Sequence, residues 1–324
     1  MKKISIASCA VACVALGLYA AASGADVYPT HPVRMVVPYA PGGTPDVVAR
    51  ILSQQLAETM GQSFIIDNRP SAGGITAAEM VKTSPPDGYN ILMSDIQQLA
   101  INPFLFSKLP YDADKDFTPI ALVASIPLYI VVQSSLKIDT LEQLAAFAKT
   151  HPGKLSYGSS GIGSIHHITM ESLKAALGMD IVHIPYKGAG QSVPAFLAGD
   201  VQVLISALPA LAPHLKSGNA KLIAVTTLKR APLTPDVPAV AEVVPGFDYS
   251  SEMGFVAPAG TPPAIVERLS VEIAKALKAP ETVRKLSDLG AVPIGSSPAG
   301  YSENIHRNLV TFAKAVKVSG AKVE

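Results

Sequence analysis

The sequence predicts an α/β protein built as two lobes, and three observations carry that expectation. Short apolar runs of strand length alternate with segments of helical period, the alternation starts twice, and short Gly/Pro/Ser turns join the pieces. Repeated βα units of this kind imply parallel strands covered by helices. Two starts imply two α/β lobes rather than one barrel.

In the first series, Arg34–Tyr39 reads as a buried strand, and Pro45–Met60 as a helix with Val48, Ile51, Leu52 and Leu56 on one face. Strand Ser63–Asp67, helix Ala72–Lys82 and strand Tyr89–Met93 follow. The second series holds strand Leu155–Gly158, helix Ser164–Leu177, strand Ile181–Tyr186 and helix Gln191–Ala198. It ends with strand Val201–Ile205, helix Pro209–Lys216 and strand Leu222–Thr226. Between the series, Phe117–Val132 is apolar and broken by Pro119 and Pro127, which suits extended chain passing from one lobe to the other. Tyr249–Pro258, after the proline-rich Pro232–Pro245, is a second such crossing. Helices Pro262–Ala279, Glu281–Leu289 and Tyr301–Val316 lack a sheet of their own and are expected to dock on the first lobe. The expected lobes are 26–125 plus 245–324, and 126–244. Two crossings between two lobes make a hinge, and a hinge makes a cleft.

Composition narrows the function. The 324 residues carry 26 Lys+Arg against 25 Asp+Glu, with 16% charged and 48% hydrophobic residues. Such a chain folds around a core. A balance near zero and the lack of a Lys/Arg block argue against nucleic acid as a partner. Met1-Lys2-Lys3, the apolar Ile4–Ala22 and the small Ser23-Gly24-Ala25 read as a cleaved signal peptide over residues 1–25; a retained membrane anchor is the weaker reading. Cleavage removes Cys9 and Cys13 and leaves a slightly acidic chain without thiols, addressed to a bacterial periplasm. No later stretch reaches the ~18 apolar residues of a membrane span.

The chemistry is expected in glycine-rich turns at helix starts. Pro38–Asp46 joins the first strand to the first helix. Gly42 and Gly43 let a ligand approach the backbone, Thr44 suits an N-cap, and Pro45 suits the first helical turn. Amide hydrogens and the helix dipole there favour an anion; an ordinary tight βα turn accounts for this loop equally well. A second turn, Tyr157–His166, offers Ser159, Ser160 and Ser164 as donors in the same strand–turn–helix setting. A third, Tyr186–Gly190, adds Lys187, which can steer an anion or simply be solvated. Ligands in open α/β sheets sit beyond the carboxyl ends of the strands, so closure would bring the first two turns together.

Other chemistries fail in detail. There is no G-x-x-x-x-G-K-[ST], no G-x-G-x-x-G opening a helix, and no G-x-S-x-G elbow, since Gly158-Ser-Ser-Gly161 is one residue short. His166-His167 with Glu171 matches no metal motif, and His166 reads as structural before it reads as cleft-facing. No metal or cofactor is expected. Donors without an assembled nucleophile and base describe a receptor.

Tyr28–Arg50, with its Pro-Tyr-Ala-Pro-Gly-Gly-Thr core, resembles the opening signature of the tripartite tricarboxylate transporter solute receptors, the Bug proteins. Asp67–Gly74, Ala100–Pro103, Pro185–Gly188, Leu208-Pro209 and Ile223–Thr226 resemble further blocks of that family in order. The resemblance implies a type II periplasmic binding protein fold and a carboxylate held by uncharged hydrogen bonds, then delivered to permease subunits in the membrane. Carried over by position, it implies contacts from Tyr39, Ala40, Gly42, Gly43 and Thr44 on one side and from Ser159, Ser160, Gly163 and Ser164 on the other. His166, Lys187 and Gly188 border the same sheet edge. Two positions depart from the family pattern. Ser206 stands where many members have an acid, and Asp95, in Ser94–Gln98, stands where many have a Gly/Ser-rich turn. Asp95 would repel a second carboxylate or pair with an amine, whereas Ser206 would remove an amine partner. Asp46 and Arg50 read as structural, a cap or an i,i+4 pair.

The expectation is a non-enzymatic, monomeric receptor for a small aliphatic or aromatic carboxylate. Its rivals are an exported hydrolase using Ser160 or Ser164 with His166, and a ligand-sensing lobe for a membrane signal transducer.

Overall fold

A computed structural model describes residues 28–323. The signal-peptide reading falls on residues 1–25, outside the described part.

The first series gives β1 (Val33–Val37), α1 (Thr44–Met60), β2 (Phe64–Asn68), α2 (Ile75–Lys82) and β3 (Asn90–Asp95). The single helix expected over 72–82 is a short 3-10 turn, Ala72–Gly74, followed by α2, because Gly73 and Gly74 take φ of 61° and 70°. A Cβ on Gly74 would lie 2.7 Å from Pro38 Cβ; this glycine is what lets the turn sit against the chain leaving β1. A π-helical turn, Gln97–Ile101, and the short α3 (Asn102–Leu105) follow β3.

Then come β4 (Phe117–Gln133), α4 (Leu141–Thr150), β5 (Leu155–Ser159), α5 (Ile165–Leu177), β6 (Ile181–Pro185), α6 (Ala189–Ala198), β7 (Val203–Ala207), α7 (Leu208–Lys216) and β8 (Ala220–Val225). Helix α4 is missing from the sequence reading. Its signal was present: Thr140 caps Gln143 N–H at 3.2 Å, and Leu141, Leu144, Ala145 and Ala148 form one buried face. The chain closes with β9 (Ser250–Pro258), α8 (Pro263–Ala276), α9 (Pro280–Asp288), β10 (Val292–Pro293) and α10 (Pro298–Ser319).

The strands follow the order β2-β1-β3-β9-β4-β7-β5-β6, with β8 and β10 also on β4. In the first half β2, β1 and β3 are parallel; in the second, β6, β5 and β7 are parallel. Strand β4 belongs to both: Phe117–Pro127 pairs with β9, and Leu128–Gln133 pairs with β7 and β8. Thr226 marks the return crossing. It is wholly buried, its N–H donates to Leu128 O at 2.9 Å, and its hydroxyl lies 2.6 Å from Tyr249 O.

Apolar clusters hold the halves, and that of the second also takes in Ile96, Ala100, Ile101 and Leu105 after β3. Met35, Val48, Leu52, Phe255 and Leu269 belong to one, and Ile130, Tyr157, Ile168 and Leu173 to another. Helix α10 serves both halves: Tyr301 and Ile305 pack with Val36 and Leu92 of the first, whereas Phe312, Ala315 and Val316 join the cluster of the second. The docking expected on the first lobe alone thus becomes a strap, because twenty-two residues of α10 reach past one half at ~1.5 Å per residue.

Candidate ligand-binding cleft

A cavity of about 660 Å³ opens where strand ends of the two halves face each other, within the range that suits a small organic ligand. Helix starts surround it: Thr44 and Pro45 of α1, the turn Ala72-Gly73 before α2, Ser164, Ile165 and His166 of α5, Ala189 of α6, and Pro209 and Ala210 of α7. The rest of the wall is mainly apolar, with Ile96, Leu105 and Phe106 on one side and Ile126, Leu128 and Met253 on the other. No Lys or Arg is among the lining residues.

Of the residues singled out in the sequence, Tyr39, Thr44, Asp95, Ser160, Gly163, Ser164, His166 and Ser206 line this cavity. Ala40, Gly42, Gly43, Ser159, Lys187 and Gly188 do not. Lys187 is exposed, and its N–H donates to Gln191 Oε1 at 3.1 Å, while Gly188 precedes α6 with φ of 90°. Missed by sequence reasoning were the π-turn residue Gln97, the apolar wall and the start of α7. The wall carries no motif, but Leu208-Pro209, with proline in the first helical turn after a strand, was a usable signal.

The turns spend part of their hydrogen-bonding capacity on themselves. Gly42 N–H donates to Asp46 Oδ2 at 2.9 Å and Gly43 N–H to Ala40 O at 3.3 Å. Neither glycine amide is therefore presented to the cavity. The amides of Thr44 and Asp46 lie in the first turn of α1, where no intrahelical acceptor exists. The second turn is organised likewise: Gly161 N–H donates to Ser159 Oγ at 3.1 Å and Gly163 N–H to His167 Nδ1 at 3.2 Å. Ser164 Oγ donates to Gly161 O at 2.7 Å and accepts from His167 N–H at 3.3 Å, capping α5. Left over are the amides of Ser160, Ile162, Ile165 and His166, which find no acceptor among the described residues. Three of those four, Ile162, Ile165 and His166, are neither serine nor glycine.

Beneath this turn lies a stack of rings. His183 lies between Tyr157, at 4.8 Å between centroids, and His167, at 4.1 Å. Ser159 is fully buried with its hydroxyl 2.7 Å from His183 Nε2, so it supports the turn from below. Burial first, and the neighbouring His167 second, push the His183 imidazole down to about 4. An unfolded histidine binds its proton near pH 6.5. The unfolded state therefore takes up that proton first, and stability contributed by neutral His183 is full above pH 6.5 and falls as pH drops toward 4. Melting curves of wild type and His183→Gln should diverge in slope across this window by up to about 1.4 kcal/mol per pH unit. Parallel curves would mean that His183 is solvated.

The Ser-His arrangement in the cleft is incomplete for hydrolysis. Ser160 Oγ lies 3.0 Å from His166 Nδ1, but no carboxylate orients that imidazole among the described residues. Burial alone lowers His166 to about 4, whereas a catalytic base works best with a pKa near ambient pH. Ser164 is occupied as a cap. No group of three or more His, Cys, Asp or Glu side chains suited to a metal ion occurs among the described residues.

Two α/β halves joined at β4, with a ligand-sized cavity ringed by helix starts, define a periplasmic binding protein. The profile of the tripartite tricarboxylate transporter family receptor matches residues 48–316, and the chain belongs to that family. BugT of Bordetella pertussis is 34% identical over 95% of this chain and 97% of its own length. The solved structure of R. palustris Rpa4515 with adipate superimposes with a TM-score of 0.80 at 36% identity, covering 91% of this chain and all of the other. MatC from Rhodopseudomonas palustris with bound malate gives a TM-score of 0.75 at 31% identity over 89% of this chain and all of MatC. The chain is a solute-binding receptor of the Bug type, not an enzyme. No described helix is long and apolar enough to cross a membrane.

Proposed function

We propose that this protein works in the periplasm as a monomeric receptor that captures a small organic carboxylate and hands it to the permease subunits of a tripartite transporter. One observation carries the reading: several helix N-termini converge on a single cavity whose lining includes no Lys or Arg. Amides at helix starts hold an anion without a countercharge. Ser160, Thr44 and Ser206 supply orienting hydroxyls around it. The adipate and malate bound by the two R. palustris relatives support this ligand class.

Three or four charge-assisted hydrogen bonds at about 1.5–3 kcal/mol each span the roughly 8 kcal/mol of micromolar binding before ordering costs. Affinity of that order suits a receptor that must also let go. Release requires opening, and the crossing at Leu128, Thr226 and Tyr249 is the place for a hinge. The strap formed by α10 keeps the swing small.

A thermal-shift screen of mono-, di- and tricarboxylates, aliphatic and aromatic, tests the reading, with native mass spectrometry to fix stoichiometry. At least one carboxylate is expected to raise the melting temperature by several degrees at saturating concentration, with one molecule per chain. A full screen without a stabilising carboxylate would overturn the proposal.

A further inference from the structure

A site for anions has a carboxyl group in its own wall. Asp95 ends β3, lines the cavity and is only 7% exposed. Every group that holds it is uncharged. The Tyr39 hydroxyl donates to Oδ2, Gln97 N–H donates to Oδ1 at 2.8 Å, and Gln98 Oε1 accepts from the Asp95 N–H at 2.9 Å. Gln98 Nε2 in turn donates to the Tyr39 hydroxyl at 3.3 Å.

The titratable neighbours add no positive charge. Tyr39, Tyr111 and Tyr301 are phenols kept neutral by burial. Glu252 borders Asp95 in an adjoining small cavity and accepts from Asn304 and Asn308. His166, across the main cavity, is neutral. Burial raises Asp95 to about 6, so the group is still mostly ionised near pH 7. Each of its oxygens has one hydrogen bond and room for another. A buried carboxylate among neutral groups gains most from a donor or a cation, and the ligand is what can bring one.

We propose that Asp95 determines specificity: it turns away a second carboxylate and accepts a hydrogen bond from an ammonium or hydroxyl group, so the ligand is a monocarboxylate with an apolar body and one donor substituent. This rests on the carboxylate reading of the cleft and narrows it. The apolar wall of Leu105, Phe106, Ile126, Leu128 and Met253 accommodates the body. A compact polyacid such as malate would leave that surface facing water and place further negative charge beside Asp95.

The test uses acids built on one six-carbon chain, which holds the body constant: hexanoate, and hexanoate carrying hydroxyl, ammonium or an added carboxylate at its second or sixth carbon. Titration calorimetry with the wild-type protein is expected to show an ammonium or hydroxyl member binding best, and the diacids at least about tenfold more weakly. Asp95→Asn keeps the side chain's size; its Oδ1 can still accept from Gln97 N–H, and its Nδ2 can donate to the Tyr39 oxygen. It should weaken the best member at least about tenfold and strengthen the diacids by a similar factor, leaving hexanoate within about threefold. A uniform change across the series, no change, or a wild-type preference for the diacids would overturn the assignment of Asp95. A protein that binds other carboxylates but none of this series would overturn it as well. A protein that binds no carboxylate would instead overturn the receptor reading on which it rests.

Discussion

Gly163→Ala is expected to weaken binding of the best carboxylate by about 100-fold or more, while the unliganded protein still folds. Gly163 holds φ of 75° and is buried at the cleft, where its carbonyl accepts from Gln97 Nε2 at 3.4 Å. A Cβ there would lie 2.5 Å from Leu105 Cδ2, closer than carbon atoms can approach. The turn from Ser159 to Ser164 thus meets the segment after β3 at a point where only hydrogen fits. A left-handed conformation costs an alanine about 1–2 kcal/mol, and displacing Leu105 adds to this.

In the empty protein the strain can relax by letting the turn move out of the cleft. In the complex it cannot if, as proposed, the amides of Ser160, Ile162, Ile165 and His166 hold the ligand. The cost therefore falls on affinity, and about 2.7 kcal/mol is a factor of 100. Calorimetry with the strongest ligand from the carboxylate screen measures it. Adding Leu105→Ala should restore part of the loss by removing the clash but not the backbone strain. Wild-type affinity in Gly163→Ala would mean that this contact is not part of the bound state.

Periodicity exposed most of the fold because each βα unit buries its own face locally. Val48, Leu52 and Leu56 are fully buried, as their spacing required. The strap formed by α10 was hidden because its two apolar stretches, Tyr301–Ile305 and Phe312–Val316, continue one helical pattern, and nothing local says that they face different clusters. The site was legible in its location and less so in its atoms. Glycine-rich turns pointed to the right edge of the sheet, but hydrogen bonds within the turns decide which donors remain. Gly42 and Gly43 spend their amides locally, and the Tyr39 hydroxyl is taken by Asp95 and Gln98. A partner fifty-six residues away leaves no trace in local pattern. By contrast, Asp46 and Arg50 stand four apart on one helix, and that spacing alone predicts their pairing.

That pairing leads to the largest expected effect on stability. Asp46→Ala should lower stability by about 2–4 kcal/mol, a fall in melting temperature of about 3–6 °C. The carboxylate is 1% exposed and serves three donors: Gly42 N–H at 2.9 Å, Arg50 Nε at 2.9 Å and Asn68 Nδ2 at 2.8 Å. Asn68 Nδ2 also donates to Tyr39 O at 3.0 Å, so one side chain ties the loop after β1 to α1 and to β2. Alanine would remove the acceptor of Gly42 N–H, leave Asn68 Nδ2 with Tyr39 O alone and release Arg50, which together cost more than losing one exposed ion pair.

Acid should erase the difference. Burial alone would raise the Asp46 carboxyl, but the hydrogen bonds from Arg50, Gly42 and Asn68 outweigh it and hold the group below the usual carboxylate range. A carboxyl lowered by folding contributes its stability above the unfolded value near pH 4, and loses it as pH falls through the lower folded value. Melting temperatures of the two proteins should therefore converge below pH 4 and stand apart at neutral pH. A constant gap across that range would show that the alanine acts by loss of packing, not through the charge. Equal melting temperatures at neutral pH would show that the loop holds its shape without Asp46.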